Sequence, residues 1–159
     1  MDLSLVIPCY NESEGIPTLR SQLEAVWPRL QERGSVELEL PVLIDHMGRA
    51  NPAAGAQDPS RSKLVELLRR GNFWVMLSLG EKISRAGPPW DDVIPLARAL
   101  IDAAPDRVVW ATDWPHPVST RQPPNEGDLI ELLYRYAPDE ATLKKILVDN
   151  PAKLFGFDR

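Results

Sequence analysis

Cysteine and histidine are the scarcest reactive residues in this chain. Its 159 residues include one cysteine, Cys9, and two histidines, His46 and His116. A lone thiol forms no internal disulfide, so the core must hold the fold together, as suits a reducing cytoplasm. Positive charge is also short. Lys and Arg number 18 against 23 Asp and Glu, for a formal charge of −5. That balance argues against a basic phosphate-binding face and so against nucleic acid as a main partner. No apolar run approaches the roughly 18 residues of a membrane span. The chain does not open on a basic segment leading into an apolar one, so the expectation is a cytoplasmic protein without a membrane partner. His-x-His, Cys-x-x-Cys and a Gly-rich phosphate loop are all missing, so no metal or cofactor site of high specificity is read from the sequence.

What is present is a regular alternation. Residues 3–9, 36–44, 73–77 and 107–111 are short apolar, β-branched runs, hence buried strands. Helical spacing of apolar residues covers 13–33, broken near Trp27 by Pro28, and recurs at 61–70, 91–104, 128–136 and 139–148. Asp91 is placed to cap the 91–104 helix, Pro41 to start its strand, and 151–155 to form a short turn. Strands alternating with helices predict βαβ units, a parallel sheet and an α/β fold. Right-handed crossovers gather the loops that follow the strands at one rim. Asn11-Glu12, Asp45-His46, residues 78–85 and residues 113–116 would share it. Four parallel strands do not close a barrel, which takes about eight. The open possibilities are a half barrel completed in a homodimer, an open doubly wound sheet, or a poorly folded segment.

Chemistry concentrates where strands end. Val108 to Ala111 runs directly into Thr112-Asp113-Trp114-Pro115-His116. A carboxylate at a strand end, between Trp110 and Trp114, is a candidate general base. His46 and His116 are candidate acids, bases or ligands. Lys82, Arg49 and Arg85 are candidate clamps for an anionic substrate, and Trp114 a candidate platform for it. Plainer roles stand beside each. His46 would bind a strand-end carbonyl, Asp113 would cap a turn, and His116 would pack between prolines. Lys82 and Arg85 would be solvated, and the indoles would belong to the core.

Residues 41–158 resemble the C-terminal half of the amidohydrolase-related family, in the branch of 2-pyrone-4,6-dicarboxylate hydrolase. The matching stretches are Ile44-Asp45-His46-Met47-Gly48-Arg49, residues 83–90 (ISRAGPPW), residues 109–117 (VWATDWPHP) and residues 147–157 (LVDNPAKLFGF). The resemblance implies a TIM barrel and hydrolysis of a small lactone or carboxylate compound. It also implies roles. Asp113 would activate water, His46 would polarise the scissile carbonyl, and Lys82 would grip a substrate carboxylate where the family usually has arginine. Some members use a divalent metal, but the family's His-x-His is absent here. Residues 1–38, through Pro8-Cys9-Tyr10-Asn11-Glu12, resemble the opening of a family 2 glycosyltransferase. The segments that complete a donor site there are missing, so glycosyl transfer is not supported. The expected organisation is one α/β domain over 1–159, with a glycosyltransferase-like segment at 1–40 joined to an amidohydrolase-like half barrel at 41–159. The leading functional expectation is a hydrolase of this type. The alternatives are a non-catalytic chimeric or truncated α/β domain and, behind it, a nucleotide-sugar binder through Asn11 and Glu12.

Overall fold

Val-Leu-Ile, Phe-Trp-Val-Met-Leu and Val-Val-Trp have the branched and aromatic make-up that packs well on a pleated surface, and each forms a strand. In the computed structural model, which describes residues 41–55, 58–116 and 122–157, they are β1 (Val42–Ile44), β2 (Phe73–Leu77) and β3 (Val108–Trp110). All pairing is parallel, in the order β1-β2-β3, with Ile44 beside Val75 and Leu77 beside Trp110. Parallel neighbours need long crossovers. These contain α1 (Pro59–Leu68), the short α2 (Gly80–Ile83) and α3 (Ile94–Ala103). After β3 come α4 (Glu126–Tyr136), α5 (Glu140–Lys144), a π-helical stretch (Lys145–Asp149) and α6 (Asn150–Phe155).

The helices bury the stripes that their spacing predicts. Leu96, Ala97, Leu100 and Ile101 on α3 join Leu129, Leu132, Leu133 and Tyr136 on α4 in one core with Val75, Leu77 and Val108. Each large side chain so buried contributes roughly 1.5–3 kcal/mol. Polar clamps tie the strand starts together at the other end of the sheet. Arg107 donates from Nη2 to the Leu68 carbonyl (2.6 Å) and from Nε to that of Phe73 (3.2 Å). Buried Asn150 donates from Nδ2 to the carbonyls of Pro105 (3.0 Å) and Val108 (2.7 Å).

Several local expectations change. Asp91 does not cap a helix. It begins a 3₁₀ turn, Asp91–Val93, and its carboxylate pairs with Arg135. The α-helix starts later, with Pro95 in its first turn, where a missing N–H costs nothing. The predicted turn at 151–155 is helical, and the 139–148 helix widens into it. Pro151 has no N–H to offer the preceding turn, and the Asn150 amide reaches back to the Lys145 carbonyl. The first described strand is Val42–Ile44, directly after Pro41. The strand and helix expected over 3–33, the residues Asn11 and Glu12, and residues 36–40 of the second expected strand lie outside the described residues. No helix among the described residues is long and apolar enough to cross a membrane.

Candidate functional site

All three strands leave the sheet at the same end, so the residues that follow them meet at one rim, the position where parallel α/β sheets place their chemistry. The exits are tight. His46, Met47, Gly48 and Arg49 all have positive φ, as do Leu79 after β2 and Asp113 after β3. Non-glycine residues in this region cost on the order of 1–3 kcal/mol each and tend to cluster at functional sites. Here the left-handed turns bring side chains back over the strand ends.

Asp113 is the hub. Its Oδ2 accepts from Lys82 Nζ at 2.9 Å, and its Oδ1 lies 3.9 Å from His46 Nε2. His46 is held in turn by Ser78, whose Oγ is 2.9 Å from Nδ1. The side chains of Asp113, Lys82 and His46 are 14%, 22% and 24% exposed, so the group is recessed yet reachable. Three residues from three strand ends, chosen from the sequence, are therefore brought together. Asp113 is not spent on a turn cap, because Thr112 Oγ1 accepts from the Trp114 amide instead.

The other sequence candidates sit differently. Trp114 is 77% exposed, so it does not desolvate Asp113. His116 is buried and joined through Nε2 to Glu126 Oε1 at 2.8 Å, which places it under the rim rather than open to a substrate. Arg49 and Arg85 are exposed. Arg85 belongs to a loop fastened by Asp92, which accepts from the Ser84 hydroxyl and from the amides of Arg85 (2.7 Å) and Ala86 (3.3 Å). Burial works to raise the Asp92 carboxyl, but these donors outweigh it and hold the group below the usual carboxylate range. A depressed folded value gives stability that is complete above the unfolded value, about pH 4, and lost as pH falls through the folded one. Asp92→Ala is therefore expected to cost about 1 kcal/mol at neutral pH in urea unfolding, with the gap to wild type shrinking as pH falls below about 4.

Three functional candidates were not singled out in the sequence. Ser78 orients His46, Glu126 orients His116, and Glu81 is a largely buried carboxyl beside both Asp113 and His116. Burial pushes the Glu81 carboxyl upward against smaller opposing contributions from its own backbone amide and nearby Lys82 and His116. The adjacent Glu81-Lys82 pair just past a strand end was the available signal for Glu81. Nothing in local sequence marks Ser78. Next to Glu81, Ser78, Thr112 and Tyr136 line a cavity of about 10 Å³, room for about one water. Burial raises the Tyr136 hydroxyl far above its ordinary value. That hydroxyl packs so closely over Gly80 that a Cβ there would collide with it.

The sequence and the fold both have known counterparts. The model of the Amidohydrolase family matches residues 17–157, so the match begins ahead of residue 41, the expected start of the amidohydrolase-like part. The 4-sulfomuconolactone hydrolase of Hydrogenophaga intermedia is 50% identical over 129 residues, covering 80% of this chain and 42% of that protein. A 2-pyrone-4,6-dicarboxylate hydrolase of Comamonas testosteroni is 35% identical over 123 residues, covering 72% and 40%. A crystal structure of an Agrobacterium tumefaciens protein in its apo form superposes with a TM-score of 0.66 at 32% identity, over 87% of this chain and 48% of that one. The chain thus spans about two fifths of the length of the curated relatives it matches.

Proposed function

The chain belongs to the Amidohydrolase family, and from that premise we propose that it hydrolyses a small lactone carrying an anionic group, with Asp113 as the proton acceptor. The observation that carries this is the convergence of Lys82 and His46 on the two oxygens of Asp113. A water beside Oδ1 gives its proton to Asp113 as its oxygen bonds to the lactone carbonyl carbon. The ring C–O bond then breaks, and the departing oxygen takes the proton back from Asp113. In the tautomer that accepts from Ser78 at Nδ1, His46 carries its proton on Nε2 and offers it to the carbonyl oxygen, where negative charge develops. Lys82 holds the carboxylate in line and offers an ammonium to the substrate anion. As a point charge it lacks the two-pronged grip of arginine. The relatives' names, a sulfomuconolactone and a pyrone dicarboxylate hydrolase, fit an anionic lactone.

The test is ring opening of 4-sulfomuconolactone and of 2-pyrone-4,6-dicarboxylate by the purified, chelator-treated chain, followed by ultraviolet absorbance. A rate proportional to protein supports the reading, and none above the blank at high protein concentration overturns it. Light scattering on the same sample shows whether the acting species is the homodimer that would complete the substrate wall.

One observation favours a second reading, a non-catalytic α/β domain of this family. The sheet among the described residues has three strands, where a closed barrel takes about eight. That reading predicts a cooperatively folded protein with no ring opening.

A further inference from the structure

Asp113 also belongs to a second cluster. One ligand-capable atom each from Glu81, Asp113 and His116 lie within 4.8 Å of one another. The His116 side chain is only 3% exposed. Glu126 occupies its Nε2, while its Nδ1 is buried without a hydrogen-bond partner. Glu81 Oε1 is buried and unpartnered as well. Three carboxylates, of Glu81, Asp113 and Glu126, therefore gather around one imidazole, while Lys82 adds a single positive charge. Glu126 is 41% exposed, but Glu81 and Asp113 are recessed, and recessed carboxylates this close together are stabilised by a proton or a cation.

We propose that Glu81, Asp113 and His116 form a site for one divalent transition cation of the zinc class, with Glu126 orienting the His116 ring. An imidazole nitrogen among the ligands selects such an ion over magnesium or calcium. A carboxylate on the far nitrogen of a ligating histidine is the usual support for such a ligand, and Glu126 stands there. Ligand atoms around zinc lie about 3.4 Å apart, so the cluster must draw in when the ion binds. Lys82 keeps Oδ2 of Asp113, which leaves Oδ1 for the ion. On that oxygen a cation and the proton taken from water are alternatives, and the metal-free chain is the state in which Asp113 acts as base. The hydrolase reading routes no step through a cation, so the two proposals stand or fall separately.

The experiment is a titration of the full, chelator-treated chain with Co²⁺ alone at neutral pH, read by visible absorption and calorimetry. Cys9→Ser serves as the background, to remove thiolate binding. The expected result is one ion per chain, a visible band in the ligand-field region, and displacement by Zn²⁺. Glu81→Gln and His116→Gln are each expected to weaken binding by at least about tenfold, and Glu126→Gln by less. Lys82→Met, which removes a like charge, is expected to tighten it. Because His116 is buried, its variant is checked for folding by circular dichroism, and the nearly isosteric Glu81→Gln keeps the test decisive. No band in excess Co²⁺ would overturn the proposal, as would an unchanged affinity in Glu81→Gln.

Discussion

Asp113→Asn is expected to reduce lactone ring opening by about 10²–10⁴-fold, the loss typical of removing a positioned general base. The amide has the shape of the carboxylate and still offers one oxygen to Lys82, which now sits 2.9 Å from Oδ2. What it cannot do is accept a proton from water. The loss should therefore fall on kcat, with KM changed little, because Lys82 and His46 remain to bind the substrate. Steady-state kinetics on protein with an unchanged circular dichroism spectrum gives both parameters. A decrease of less than about tenfold in kcat would mean that Asp113 is not the base, and the hydrolytic role would have to move to another group at the rim.

Asn150→Leu is expected to be strongly destabilising, at about 2–4 kcal/mol. The residue is 3% exposed, and its one amide nitrogen serves two carbonyls, those of Pro105 and Val108. Leucine has similar bulk but no donor. Two acceptors at the start of β3 would then be left facing an apolar side chain, each at a cost of about 1–3 kcal/mol. Urea unfolding measures the loss directly, and a fall in Tm on the order of 5–10 °C should accompany it. Lys145 and Asp106 give the contrast. They pair at 2.7 Å but are 42% and 61% exposed, so Lys145→Ala should cost less than about 1 kcal/mol. If Asn150→Leu were as mild as that, the clamp between α6 and β3 would not be holding the sheet.

How much of this was legible in the sequence depends on the kind of residue. Phe73–Leu77 is a strand as expected, because a short run of branched and aromatic residues bounded by turn formers has few other outcomes. Leu64 and Leu68 are buried as their spacing predicts, with Leu67 only partly so. The boundaries after β3 moved because Pro151 changes the helical register, an effect of one missing N–H that apolar periodicity does not report. Within the site, Asp113, His46 and Lys82 were legible because each follows a buried run, and parallel crossovers send all such ends the same way. The parts assigned to Trp114 and His116 were not. An indole beside an acid can point either way out of a tight turn, and it points to solvent. His116 turns inward to Glu126, a partner ten residues further along the chain, at the start of α4.

The sequence by itself determined the α/β class, the parallel sheet and the rim on which Asp113, His46 and Lys82 meet. Those follow from period, from the hand of the crossover and from which runs are apolar, all of them properties of neighbouring residues. Tertiary structure alone decided that Ser78 steers His46, that Glu126 steers His116, and that Glu81 is shut in beside Asp113. Each is a contact between side chains on different elements. Its existence depends on strand register and on the left-handed turns after each strand, and these form only once the core has packed and the chain ends of the sheet are brought side by side.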